Sequence, residues 1–373
     1  MKKVMIIVIF VCLGIFVSGQ GIEFRKLNFK EALEQAGKEN KYVFMDCYTS
    51  WCGPCRYMND NIFPAVKVGA FFNPKFVCVK YDMSTSEMKE VGEKYNVHAY
   101  PTYLILKPDG TLYHKITGSR DVDEFVEVVK RGMNKKHSLS YLKALHEKGK
   151  MSKEELRRYA VALKEASEKE KCLTIQNELM IRLSDKEKLE GKYWILFENK
   201  EFGDNDYDFV VKNLKTFQAN VGKSIVDNFL IKNYEKLERY YMVRLQNGSM
   251  TNFAEPFKIV NEAYQELSGI EIEGKERMVE RLMLLKAYLG NNTREVINAF
   301  ENILTSKGGN QSMMYRIIGI IKKQDNQSLM EGMMYAKERL LSLVPDVERK
   351  KLAGEIDGFQ KFIDNKNENR VRD

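Results

Sequence analysis

Two cysteines separated by two residues, in Trp51-Cys52-Gly53-Pro54-Cys55, are the residues of this 373-residue chain whose type and spacing could do chemistry. Sulfurs held this close can share a disulfide or hand it to another molecule. The reacting form is the thiolate, so the site must favour an anion. The free N–H groups and dipole of a helix N-terminus do so, and can bring a cysteine pKa from about 8.5 into the range of roughly 3.5–7.5. The surrounding sequence supplies such a helix. An apolar run, Tyr42 to Tyr48, precedes the pair, and Met58, Ile62 and Phe63 follow at helical spacing. Pro54 falls in the first turn, where its missing N–H removes no helical bond. Cys52, at the helix mouth, is expected to be the exposed attacker. Cys55, one turn in, is expected to resolve the mixed disulfide.

Zinc is the competing use of such a pair. It would need a second pair, or histidines at ligand spacing. Cys47, Cys78 and Cys172 are isolated and the four histidines form no ligand pair, so neither metal nor cofactor is expected. Eighteen methionines, with pairs at Met313-Met314 and Met333-Met334, read as helix-core filling rather than copper handling. Without the first 19 residues, which contain Cys12, five cysteines remain. An odd number, in a chain long enough to bury a core, excludes a disulfide-stapled scaffold.

The elements that must position the pair alternate. Asn28 with Glu31 caps a helix over Phe29 to Ala36. Tyr42 to Tyr48 and Phe76 to Tyr81 read as buried strands, and Ser84 to Tyr95 as a helix. Thr102 to Leu106 and Leu112 to Thr117 flank the turn Lys107-Pro108-Asp109-Gly110, and Asp121 with Glu124 caps a last helix ending near Met133. The expected order is βαβαβαββα, parallel strands first and a hairpin last. If Asp46 and Lys80 share one sheet face, Cys78 shares it and Cys47 faces away, so those two should not pair. Beyond residue 136 only Pro256 and Pro345 of seven prolines remain, and apolar residues recur at helical spacing, as in Leu156, Tyr159, Ala160 and Leu163, or Leu282, Leu285 and Leu289. Breaks such as Gln246-Asn247-Gly248-Ser249 and Lys307-Gly308-Gly309-Asn310 separate the runs. The expectation is an all-α extension of irregular helical hairpins over 137–373, with no strict repeat, in which Met333 to Asp346 resembles the second helix and exit of a tetratricopeptide unit.

The N-terminus has its own pattern. Lys2 and Lys3 precede the apolar run Val4 to Val17, and Ser18 and Gly19 follow. That is the plan of a cleaved secretory signal over 1–19; its 14 apolar positions fall short of the roughly 20 a membrane span needs. An uncleaved N-terminal anchor is the alternative. Cleavage removes two lysines and no acids, taking net charge from +8 to +6. No dense basic block remains, so no nucleic-acid partner is expected. Export to the periplasm or cell envelope follows, with no membrane span after cleavage.

Residues 29 to 133 resemble the thioredoxin family, and within it the envelope branch related to the soluble C-terminal domain of the membrane thiol–disulfide interchange protein. The implied fold is an α/β thioredoxin-like domain over 20–136, followed by the all-α extension. The resemblance implies that Asp46, six residues before Cys52, is the buried acid that moves the resolving cysteine's proton. It implies that Lys80 approaches that acid, that the proline of Tyr100-Pro101-Thr102 is cis and binds the extended partner chain, and that Gly118 closes the last strand. Trp51, Gly53 and Pro54 would complete the partner-binding surface. The longer segment between Cys55 and Lys80, including Asn61 to Asn73, would extend the first helix.

The function expected is thiol–disulfide exchange on protein clients, with the Gly-Pro dipeptide leaning towards a reductant fed by a separate membrane electron donor. Oxidase or isomerase action stays open. So does a redox-linked adaptor, in which the helical extension recruits the client.

Overall fold

The computed structural model describes residues 20–306 and 311–372. The signal-like segment 1–19, with Cys12, and the break at 307–310 lie outside the described residues. The chain divides at residues 185 and 186 into two compact units.

The first unit is built on Tyr42–Tyr48, strand β1, whose apolar residues leave no face for water. The capped helix α1, Phe29–Glu39, precedes it, closed by the full Asn28–Glu31 capping box. Strand β2, Phe76–Asp82, runs parallel to β1 on one edge, and β3, Thr102–Leu106, runs antiparallel on the other. Strand β4, Leu112–Thr117, completes the sheet in the order β2-β1-β3-β4. The strand expected ahead of α1 is reduced to a single parallel bridge between Phe24 and Cys78. Alternation sorts the side chains: Phe44, Cys78, Tyr103 and Ile105 meet Phe72 and Phe125 on one face, while Met45, Cys47, Val79 and Leu104 meet Ala32, Ala36 and Tyr95 on the other. Cys47 and Cys78 therefore sit in separate cores and are unpaired.

Between the strands the chain departs from expectation in two places. Helix α2, Gly53–Tyr57, widens into a π turn at Met58–Ile62. The insertion does not lengthen it further. Pro64 interrupts the helix, Ala65 turns extended, and a separate α3 forms over Val66–Phe72. The helix expected from Ser84 begins later, as a 3₁₀ turn at Ser86–Met88 followed by α4, Lys89–Lys94. Helix α5, Val122–Met133, starts at Asp121 as expected, the carboxylate accepting the Glu124 N–H at 2.8 Å.

Packing does not stop at residue 136. Helices α6 (Leu139–Glu147), α7 (Lys153–Glu165) and α8 (Lys169–Arg182) belong to the same unit, α6 and α7 lying against β4, the outer strand of the sheet. Polar groups on that strand fix the contact. His114 is 1% exposed, and its Nδ1 accepts the backbone N–H of Leu139 at 3.1 Å. Burial, aided by nearby Arg131, holds its pKa down at about 3, so the ring is neutral with its proton on Nε2. Helix α5 approaches this ring so closely that a Cβ on Gly132 would lie 2.3 Å from it, so that residue must be glycine. Lys115 is also buried, its ammonium held by the Asn96 carbonyl at 2.6 Å and by Glu168 at 2.8 Å.

The second unit is helical. After α9, Asp185–Lys188, and a 3₁₀ turn at Gly191–Leu196 come α10 (Asn205–Lys212), α11 (Leu214–Val221) and the long α12 (Lys223–Asn247), which ends on left-handed Gly248. Helices α13 (Ala254–Gly269), α14 (Glu276–Leu289) and α15 (Thr293–Thr305) pack in sequence, each on the next. Helices α16 (Gln311–Lys323), α17 (Gln327–Tyr335), α18 (Lys337–Leu341) and α19 (Asp346–Arg372) follow. The stretch Met333 to Asp346 is not one helix: it breaks at Ala336 and again before Asp346. Met313, Met314, Met330 and Met333 are buried core residues. The hydroxyls of Tyr207 and Tyr234 both donate to Glu266, at 2.9 and 2.7 Å, tying α10, α12 and α13 together.

These contacts set where the first unit can be cut. A chain ending near Asp185 should unfold cooperatively. One ending near Lys136 strips the cover from His114 and Lys115 and should melt about 10 °C lower or be insoluble. Equal melting temperatures by circular dichroism would show that α6–α8 add nothing to the sheet.

Candidate active site

Strand β1 ends at Tyr48, and Thr49 to Trp51 turn the chain into α2. The turn places Cys52 at the N-cap and Cys55 in the first turn, and the two are joined as a disulfide, with Cα atoms 5.3 Å apart. The Cys55 N–H points at Cys52 Sγ, 3.1 Å away. This is the helix-terminal donor that the spacing called for. Exposure is not what distinguishes the sulfurs, contrary to expectation: Cys52 is 5% and Cys55 6% exposed. Their surroundings do distinguish them. Cys55 borders a cavity of about 250 Å³ lined by Asp46, Thr49, Asn59 and Lys80, and Cys52 does not.

Asp46 lies six residues before Cys52, opposite Lys80 on β2 and Tyr103 on β3. It is 5% exposed, and its Oδ1 has no hydrogen-bond partner among the protein's groups. Burial raises its pKa to about 7, against the pull of the Lys80 charge. Lys80 reaches the cavity but makes no ion pair with Asp46 among the described residues. Its ammonium donates to Asn59 Oδ1 at 3.0 Å and lies 5.3 Å over the Phe24 ring. Asn59 was not anticipated. It stands four residues after Cys55, on the same side of the helix, and that spacing was the available signal. The Thr49 and Tyr103 hydroxyls, also buried and unpartnered, were missed too.

A second wall of the site is apolar and open. Trp51 is 70% exposed and its ring meets Tyr100 edge-on at 6.1 Å. The Tyr100–Pro101 peptide is cis, as the resemblance implied. Pro101 and Thr102 are buried: Thr102 Oγ1 donates to the Ala99 carbonyl at 2.8 Å, and the Gly118 N–H donates to the Pro101 carbonyl at 2.8 Å. Gly118 does this at φ +96°, a backbone conformation that favours glycine. Gly53 and Pro54 are exposed beside the disulfide, and a Cβ on Gly53 would meet nothing within 4 Å. No group of three or more metal-ligating side chains occurs among the described residues.

A redox-active disulfide at a helix N-terminus, over a buried carboxyl and beside a cis-proline loop, defines a thiol–disulfide oxidoreductase of thioredoxin-like fold. The thioredoxin family model matches residues 20–131. A thioredoxin H-type from Oryza sativa subsp. indica is 40% identical over 105 residues, 28% of this chain and 80% of that protein. A thioredoxin from Echinococcus granulosus is 35% identical over 86 residues, 23% of this chain and 75% of its own length. The chain belongs to the thioredoxin family. Among relatives it also matches a protein disulfide-isomerase from Datisca glomerata, at 24% identity over 20% of that longer chain. Among solved structures, a candidate disulphide-isomerase from Bacteroides thetaiotaomicron is 40% identical, covering 31% of this chain and 95% of that one, with a TM-score of 0.29. The oxidised C-terminal domain of Neisseria meningitidis DsbD is 21% identical, covering 29% and 97%, with a TM-score of 0.26.

The Asp46 carboxyl generates a prediction about stability. Its pKa rises from 3.8 to about 7 on folding, so the folded state holds this proton more tightly. As pH climbs through that window the native state loses stability, and above it the full cost is present. Asp46→Asn should therefore melt higher than wild type at pH 8, while near pH 2, well below the unfolded value of 3.8, where the carboxyl is neutral in both states, the two should match. A difference that is the same at both pH values would mean that the carboxyl is not held protonated by burial.

Proposed function

We propose that this chain is an exported protein-disulfide reductase in which Cys52 attacks, Cys55 resolves and Asp46 takes the resolving proton. The observation that carries this reading is the asymmetry of the two sulfurs. Cys55 shares a cavity with Asp46, whereas Cys52 caps the helix beside the exposed Trp51. In the reduced enzyme the Cys52 thiolate attacks a client S–S bond, forming a Cys52–client disulfide and releasing one client sulfur as a thiolate. Asp46 takes the proton from Cys55. The Cys55 thiolate then attacks Cys52 Sγ, reforms the intramolecular disulfide and frees the second client thiolate. The client gains two electrons, and a separate thiol donor must restore the enzyme.

Trp51, Gly53, Pro54, Tyr100, Pro101 and Thr102 are the surface on which an extended client segment would lie, with Lys80 and Gly118 in support. Export rests on the basic start, apolar run and small-residue end of segment 1–19, and would place the donor in the membrane. No described helix is long and apolar enough to cross a membrane. The helical unit fits a role in choosing clients. Two cavities, of about 590 and 370 Å³, adjoin along α12, sharing Glu201, Asn233 and Lys236.

The test is trapping. Cys55→Ala should accumulate mixed disulfides with client proteins and Cys52→Ala should not, and Cys52→Ser should abolish insulin reduction. Equal trapping by both variants, or insulin reduction that survives Cys52→Ser, defeats the assignment.

A further inference from the structure

The loop that carries the cis-proline, residues 96–101, is anchored differently at its two ends. Its C-terminal end is held within the sheet, by the Gly118 and Thr102 bonds already described. Its N-terminal end turns on Asn96, a left-handed residue at φ +56°. Asn96 is gripped at three atoms. Its carbonyl accepts from Lys115 Nζ at 2.6 Å, its Nδ2 lies 3.2 Å from both carboxylate oxygens of Glu168, and its Oδ1 meets His98 Nε2 at 2.5 Å. Glu168 comes from outside the thioredoxin match, as the residue immediately before α8.

Glu168 also answers a charge. The Lys115 side chain is only 4% exposed, and an ammonium so far from water needs a counter-charge and hydrogen-bond acceptors. Glu168 supplies the carboxylate at 2.8 Å, and the Asn96 carbonyl supplies an acceptor. One carboxylate thus joins the outer strand, the entry to the partner-binding loop and the helices that follow the domain.

We infer that Glu168 is a positioning residue for client binding: through Asn96 and Lys115 it fixes the entry of the 96–101 loop. Helices α6–α8 thereby set how well the oxidoreductase holds an extended protein partner. This rests on the reading that the loop binds clients of the Cys52–Cys55 exchange. A small disulfide that reaches the sulfurs without lying along the loop is indifferent to Glu168.

The experiment uses the full chain, with insulin as the protein disulfide and a small aromatic disulfide as the second substrate. Glu168→Ala removes charge and hydrogen bonds, and Glu168→Gln keeps an amide of the same shape. KM for insulin should rise about tenfold in Glu168→Ala, with a smaller rise in Glu168→Gln, because a hydrogen-bonded charge is being lost. Their kcat, and the rate with the small disulfide, should stay within about twofold of wild type. In an Asn96→Gly background, which keeps the left-handed backbone and removes the side chain, Glu168→Ala should add little further rise. Parallel loss with both substrates, or fully additive effects of the two substitutions, would make Glu168 a merely structural residue and overturn the inference, as would an unchanged KM in every variant. A wild-type chain inactive on both substrates would overturn the proposed function itself, and this inference with it.

Discussion

A carboxyl group on the central strand of a sheet gives up its water, and the arrangement of this site follows from that loss. Strand β1 is flanked by β2 and β3 and covered on both faces, so anything it carries near its middle is enclosed. Asp46 is placed there, and burial keeps its proton on to about pH 7. Near neutrality such a group both accepts and releases a proton readily. The strand then ends within three residues, and the next turn must bend into α2, which delivers Cys52 and Cys55 to the cavity's rim. Lys80 moderates the cost of the carboxylate without neutralising it, since its ammonium is taken by Asn59 and the Phe24 ring.

The same constraint, applied at the outer strand, explains why the first unit is larger than its family match. Strand β4 has one free edge, and free edges must be covered or made unattractive to other strands. Here they are covered. His114 points towards α5 and Lys115 towards the end of α4, one on each face of the strand. Once α6–α8 lie over them, each needs a partner supplied by the covering segment. The Leu139 N–H serves His114, and the Glu168 carboxylate serves Lys115. Arg131 and Glu165 make a further pair across the same seam. Polar groups of this kind contribute little net stability against a hydrophobic seam, but they admit only one docking arrangement.

What the sequence shows of this fold is the part written in local periodicity. Tyr42–Tyr48 and Thr102–Leu106 are strands of mainly apolar residues, Pro108-Asp109-Gly110 marks the hairpin turn, and Asn28 and Asp121 carry their helix starts in capping chemistry. The pair at Cys52 and Cys55 is legible because strand, turn and helix are contiguous. Three features are not legible for one shared reason: they join residues far apart in sequence through polar atoms. Lys115 and Glu168 are 53 residues apart, and a lysine and a glutamate at that separation look like two solvated charges. The His114–Leu139 bond uses a backbone group, which has no signature in sequence. Lys80 and Asn59 meet across 21 residues because a strand register and a helix face coincide. Pro64 ends the helix where the family resemblance implies a longer one, because a proline in the helix interior removes a backbone donor and clashes with the preceding turn.

The equal burial of the two sulfurs bears on how the enzyme is reset. If access alone chose the attacker, a disulfide with sulfurs 5% and 6% exposed would offer a donor thiol no preference. Preference must come from what each sulfur becomes when it leaves. A donor that attacks Cys52 expels Cys55 as a thiolate at the cavity that holds Asp46, where a carboxyl with a pKa of about 7 can return the proton. A donor that attacks Cys55 would expel Cys52 at the helix mouth, away from that acid and facing only the Cys55 N–H. In the proposed mechanism a protonated Asp46 would assist this departure below its pKa, and its carboxylate would take the proton from Cys55 above it. On that reading one buried acid would serve both directions, and the direction of net flow would be left to the potentials of client and donor.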